Sequence, residues 1–108
     1  MILIVNKYIL RKRYNGVALW PFVIMRNKTL KNDVRFINHE KIHLRQQIEM
    51  LVLFFYLWYG VEYLVRLFQY KNRHVAYLNI SFEREAYTNE NTPAYLKTRV
   101  FWGFLKYI

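Results

Sequence analysis

Two short hydrophobic segments near the amino terminus predict a small antiparallel sheet. Residues 2–10 are rich in Ile, Val, Leu and Tyr, and residues 18–25 repeat that character after a basic link that contains Asn15-Gly16, as in a β-hairpin. Pro21 cannot donate a backbone hydrogen bond, so the second strand is expected to be bulged there or to lie at the sheet edge. An open edge of this kind could bind an extended peptide as an added strand.

Apolar positions with helical spacing follow, over about residues 34–70. Asn32 or Asp33 can cap the start of this segment. One straight helix of this length would extend for roughly 55 Å, too long for so small a chain, so a bend or break is expected between Leu51 and Gly60. Two further helical segments are predicted, over about residues 73–89 and, after the cap Thr92, over residues 93–105.

These elements predict an α+β fold that is mainly helical, with an amino-terminal β-hairpin and about four helices. No linker, repeat or low-complexity segment interrupts the chain, so residues 1–108 are expected to form a single domain.

Residues 50–61 form an uncharged apolar run of 12 residues between Glu49 and Glu62. A membrane-spanning helix needs about 18 or more apolar residues, so burial in the core is expected. A lipid interface or a partner protein in contact with residues 50–65 is the alternative. The apolar amino terminus is interrupted at Asn6 and Lys7, before a signal-peptide core is complete. A cytoplasmic protein is therefore expected, with association with a membrane as the alternative.

The amino-acid composition limits the kinds of site and partner that the chain can have. The chain has no cysteine, which excludes disulfides, thiolate zinc sites, iron–sulfur clusters and a cysteine nucleophile. Seventeen Lys and Arg against seven Asp and Glu give a net charge of +10, and such a field attracts nucleic acid, anionic lipid or acidic proteins. Because no recognised nucleic-acid motif accompanies the charge, nucleic acid is the less favoured partner.

The most informative motif is His39-Glu40-Lys41-Ile42-His43, which is HExxH within a predicted helix. Residues four apart project from one helix face, so His39 and His43 can bind one zinc ion. Glu40 lies beside them, where its carboxylate can accept a proton from a metal-bound water. The motif therefore predicts a zinc site with a built-in general base.

A catalytic zinc needs a third protein ligand. A histidine six residues after His43 would complete a longer histidine motif, but that position is Glu49. His74 stands alone near a turn and is interpreted as a surface or capping residue. The remaining candidates are Glu83 and Glu85, on a later helix that can pack against the first.

HExxH followed by Glu-x-x-Ala, as in Glu83 to Ala86, resembles the gluzincin (thermolysin-like) zinc metallopeptidases. The stretch HEKIHLRQQ from His39 is similar to the HExxHxxQQ segment of some small bacterial zincin-like domains, which implies a minimal, single-domain zincin. The resemblance implies His39, His43 and Glu83 as zinc ligands and Glu40 as the general base, with Glu85 the rival third ligand.

Tyr87 departs from the family pattern, because many gluzincins have an aspartate four residues after the third ligand that orients a zinc-bound histidine. Either Tyr87 takes over part of this role or another group orients the imidazole. The resemblance also implies a donor for the oxyanion, for which Tyr87, Tyr95 and His74 are candidates.

The function expected from the sequence is zinc-dependent hydrolysis of peptide bonds in a peptide or protein substrate. The alternative is a non-catalytic domain that binds zinc, or one that binds nucleic acid or a membrane surface through its basic residues.

Overall fold

The computed structural model describes residues 1–6, 8 and 15–108, and its fold is α+β, as predicted. Five α-helices are present among these residues, because the predicted helix over residues 73–89 is interrupted at Asn79 and Ile80. The strands are β1 (Ile2–Val5), β2 (Gly16–Leu19) and β3 (Phe22–Met25); the α-helices are α1 (Val34–Glu49), α2 (Leu53–Tyr70), α3 (Arg73–Leu78), α4 (Ser81–Asn89) and α5 (Tyr95–Thr98); and 3₁₀ helices cover Lys28–Asn32 and Gly103–Tyr107.

The strands form one sheet in the order β1-β3-β2, in which β3 is central. β2 is antiparallel to β3, with Leu19 opposite Phe22, whereas β1 is parallel to β3. The predicted antiparallel pairing of residues 2–10 with residues 18–25 is therefore wrong, and residues 7, 9 and 10 of that prediction lie outside the described residues.

The hairpin is formed instead by β2 and β3, over residues 16–25, with Trp20 and Pro21 as its two-residue turn. Pro21 needs no ladder hydrogen bond in a turn, and its carbonyl oxygen accepts one from Ile2 N at 2.9 Å. Pro21 therefore neither forms a bulge nor places its strand at the sheet edge, because it lies in the turn before the central strand β3. That prediction is wrong. The edge that faces the helices belongs to β2, which contacts α1.

The expected break in the long helical segment is confirmed at Leu51 and Val52. Both residues have positive φ angles, 55° and 60°, and the axes of α1 and α2 differ in direction by 112°. Neither helix is long and apolar enough to cross a membrane by itself, although the bent pair together meets the requirements of length and composition.

The expected burial of residues 50–65 is wrong for most of the segment. Met50 and Phe55 are buried in a cluster with Ile80, Phe82 and Phe104, but the opposite face of α2 is exposed. The reason is that α2 is apolar on two faces, and α1, α3 and the carboxyl-terminal segment cover one of them.

A buried arginine connects the carboxyl-terminal segment to two helices. The Arg99 side chain is completely buried, and it donates to Glu49 Oε2 at 2.7 Å and to both carboxylate oxygens of Glu85. Tyr95 Oη donates to Glu85 Oε2 at 2.6 Å. These contacts, more than burial, set the charge of Glu85, and its pKa is lowered although burial alone would raise it.

We expect Arg99→Met to lower the free energy of unfolding by about 3–5 kcal/mol, because it leaves two buried carboxylates without their cation. Chemical denaturation would measure the change. Lys97→Met is the matched control, since Lys97 is exposed, and it should shift the value by no more than about 0.5 kcal/mol. A loss below about 1 kcal/mol for Arg99→Met would contradict this account.

Candidate metal centre

Three buried side chains from two helices converge at one point. His39 and His43 lie one turn apart on α1, and Glu83 lies in the first turn of α4. His43 Nε2 is 3.1 Å from His39 Nε2 and 3.0 Å from Glu83 Oε1, and His39 Nε2 is 3.5 Å from Glu83 Oε1. Ligand atoms around a tetrahedral zinc are separated by about 3.3–3.6 Å, given metal–ligand bonds of about 2.0–2.2 Å. The triangle is therefore close to the size that zinc requires.

Gln46 fixes the orientation of the His43 ring. Its Nε2 donates to Phe82 O at 3.1 Å and to Glu85 Oε1 at 2.8 Å, so its Oε1 must be the atom that faces His43 Nδ1 at 2.8 Å. An amide oxygen only accepts hydrogen bonds, and His43 Nδ1 is therefore protonated. This leaves His43 Nε2 to point at Glu83 and His39, as a metal ligand would.

Tyr59 orients Glu83 in a similar way. Tyr59 Oη donates to Glu83 Oε2 at 2.7 Å, which holds the carboxylate with Oε1 toward the histidines. His43 and Glu83 are thus both oriented by hydrogen bonds with residues outside the cluster, namely Gln46 and Tyr59.

The carboxyl end of α4 supports His39. Asn38 Nδ2 donates to the carbonyl oxygens of Asn89, Glu90 and Thr92 at 2.9–3.1 Å, which fixes this end of α4 against α1. Glu90 Oε1 lies 3.5 Å from His39 Nδ1. The other carboxylate oxygen, Glu90 Oε2, accepts a hydrogen bond from Arg35 Nε at 2.5 Å. A carboxylate is therefore present beside His39, although it is not at the position where the family resemblance implied it.

Tyr87 packs against His39 instead of hydrogen bonding to it. The two ring centroids are 4.5 Å apart in an edge-to-face arrangement, and Tyr87 Oη lies 3.0 Å from Tyr77 Oη. Burial raises the pKa of Tyr87, so its hydroxyl stays protonated and can donate a hydrogen bond.

The charges in the cluster are strongly coupled. Burial alone would lower the pKa of His43, but the Glu83 carboxylate outweighs it and raises that pKa to about 9. Burial would raise the pKa of Glu83, yet the two histidines hold it far below its usual range. Without a metal, a proton on His43 therefore supplies the positive charge that the cluster needs.

Glu40 lies beside the cluster and has a different environment. The residue is 5% exposed, and its Oε2 has no hydrogen-bond partner among the described residues. Burial raises the pKa of Glu40 despite the opposing effect of the two histidines. Glu40 and the three cluster residues border a cavity of about 420 Å³. The cavity is also lined by β2, by Phe55, Tyr56 and Tyr59 of α2, and by Tyr77.

The remaining candidates lie elsewhere. Glu85 is bound to Arg99 and Tyr95, so neither Glu85 nor Tyr95 reaches the histidines. His74 is exposed in the first turn of α3, where its ring stacks on Tyr77 at 6.2 Å, as expected for a surface residue.

Sequence reasoning missed three supporting residues: Gln46, Tyr59 and Glu90. Gln46 carried a detectable signal, because it lies three residues after His43 on the same helix face. Tyr59 and Glu90 reach the cluster only through the packing of α2 and α4.

No protein-family model, curated protein or solved structure matches this chain. The relation to gluzincins therefore remains a prediction based on the two short motifs.

We expect Gln46→Met to weaken zinc binding by about 10–100-fold, the usual effect of losing the group that orients a ligand histidine. Competition with a chromophoric chelator would measure the affinity. Gln47→Met is the matched control: Gln47 is the next residue and is also buried, but its side chain bonds to Ala18 of β2 and to Trp20 of the hairpin turn. Equal losses in both variants would contradict a specific role for Gln46.

Proposed function

We propose that this protein is a zinc-dependent peptidase, with zinc held by His39, His43 and Glu83 and with Glu40 as the general base. The observation that carries the proposal is the pre-formed triangle of ligand atoms beside a buried carboxylate and an accessible cavity. Two imidazoles and one carboxylate form a donor set that suits zinc and leaves a fourth position for water.

Each residue has a defined task in this proposal. Zinc would polarise the scissile carbonyl and lower the pKa of a bound water. Glu40 would accept the proton of that water and deliver it to the leaving amine, and burial favours this role because it raises the pKa of Glu40 and makes its carboxylate a stronger base. Gln46 and Tyr59 keep His43 and Glu83 in position throughout.

The hydroxyl groups of Tyr77 and Tyr87 are better placed than that of Tyr95 to donate a hydrogen bond to the oxyanion. Tyr77 lines the cavity, and Tyr87 Oη lies against it. Tyr95 is committed to Glu85. In this proposal Tyr87 acts by holding the Tyr77 hydroxyl as well as by packing on His39.

Strand β2 is suited to hold an extended peptide beside the metal. Gln47 bonds to Ala18 O and Trp20 N, each at 2.7 Å, so these even-numbered residues direct their backbone groups away from β3. Ala18 N–H and the backbone groups of Gly16 share this direction, because the N–H and C=O of one strand residue point to the same side. A peptide added here would cross the cavity.

The cavity and Glu40 favour a catalytic site over a structural one. A structural zinc is enclosed by four protein ligands, whereas the three ligands here face a cavity. A structural site also has no need for an additional buried acid such as Glu40, whose Oε2 has no hydrogen-bond partner among the described residues.

Metal analysis of paired variants tests the ligand set. The wild-type protein should bind one zinc per chain. Glu83→Gln should weaken that binding at least about tenfold, because it removes the anionic ligand. Glu85→Gln should weaken binding less than Glu83→Gln does, since Glu85 contacts the cluster only through Gln46 and the new amide oxygen can still accept from Gln46 Nε2. Loss of zinc from Glu85→Gln alone, with an intact fold by circular dichroism, would contradict the assignment.

Glu40→Gln should reduce hydrolysis of a mixed peptide library at least about a hundredfold while zinc content is unchanged, because the amide cannot accept the proton. Mass spectrometry of the peptides would detect the cleavage. Lys41→Gln is the neighbouring control: it removes an exposed charge from the same helix and should retain activity. Cleavage that survives Glu40→Gln, or its absence from zinc-loaded wild type, would argue against a peptidase.

A further inference from the structure

The acidic residues of this chain are almost entirely internal. All six glutamate side chains are at most 10% exposed, and Asp33, the seventh acid, caps α1 on the surface. Nine lysines and arginines are exposed among the described residues: Lys28, Lys31, Arg35, Lys41, Arg45, Lys71, Arg73, Lys97 and Lys106. The net charge of +10 is therefore a property of the surface, where few negative charges offset it.

The outer face of α2 carries a continuous apolar stripe. We define the stripe as Phe54, Leu57, Val61, Leu64 and Phe68, which follow one another at intervals of three and four residues and are 56–84% exposed. This spacing places them on one side of the helix. No ionisable side chain interrupts the stripe.

The apolar surface extends beyond the helix. Phe54, Leu57 and Val61 also border an open depression whose other lining residues include Leu51, Trp102 and Ile108. Exposed cations lie close by in the chain: Lys71 directly follows α2, and Lys106 is two residues before Ile108. An exposed cation therefore follows the stripe directly in the chain, and the surface as a whole carries an excess of basic groups.

We propose that the α2 stripe docks on an anionic lipid surface, with the helix lying in the plane of the interface. Amphipathic helices bind such surfaces through buried apolar area together with attraction of basic residues to lipid headgroups. A second copy fits less well, since two chains of charge +10 repel each other. Nucleic acid would use the charge but leave the stripe exposed.

Docking in this way would hold the metal centre close to the membrane. Phe55 and Tyr59 lie on the inner face of α2 and line the cavity of the metal site, while the stripe lies on the outer face. The thickness of a helix, about 10 Å, separates the two. The inference is independent of whether the metal site is catalytic.

Vesicle co-sedimentation of the full chain tests the inference. We expect binding to vesicles of phosphatidylcholine mixed with phosphatidylglycerol, weaker binding to phosphatidylcholine alone, and a loss of binding as salt is raised. Val61→Asp should weaken binding at least about tenfold, because the charge would have to enter the apolar layer. Val34→Asp is the matched control: Val34 is 64% exposed, compared with 62% for Val61, and it lies on α1.

Three outcomes would overturn the inference, provided that circular dichroism shows both variants to be folded. Equal binding of the two variants would mean that charge alone attracts the protein to lipid. A wild type that is dimeric without lipid, and monomeric as Val61→Asp, would assign the stripe to a second copy. Failure of the wild type to bind either kind of vesicle, whether or not it binds an oligonucleotide, would exclude a lipid surface.

Discussion

Buried carboxylates require cations or hydrogen-bond donors, and this chain buries all six of its glutamate side chains. Five of them meet such a partner from another segment of the chain, whereas Glu40 Oε2 has none among the described residues. Glu83 lies between the two histidines, Glu49 and Glu85 share Arg99, and Glu62 accepts hydrogen bonds from Ser81 at the start of α4. The position of α4 against α1 and α2, and with it the metal centre, follows from these contacts.

Gln46 connects the two main groups of charges. Its amide joins Glu85, which belongs to the Arg99 network, to His43, which belongs to the metal centre. Any shift of the carboxyl-terminal segment that moves Arg99 would therefore act on His43 through three successive hydrogen bonds, by way of Glu85 and Gln46. Structural support and metal binding are thus parts of one network.

Local features could be read from the sequence, and features that depend on distant packing could not. The HExxH spacing places His39 and His43 on one face because both belong to the same helix. The choice between Glu83 and Glu85 depends on Arg99, which lies more than ten residues further along the chain, and no spacing rule includes it. Likewise, apolar composition predicted burial of α2, but only the arrangement of its neighbours determines which face is covered. The parallel pairing of β1 with β3 is also non-local, and the hairpin prediction failed there.

The three proposed metal ligands, His39, His43 and Glu83, are held in place by the protein alone. Gln46, Tyr59 and the contacts of Asn38 with the end of α4 fix the ligands, so binding requires little rearrangement of side chains. The main cost is then the proton that the cluster holds, since the pKa of His43 is raised to about 9. A divalent cation must displace that proton, and metal affinity should therefore increase as pH rises toward 9. The same Glu83 carboxylate that retains the proton would also attract a metal, so the proton and the proposed metal would compete for one site.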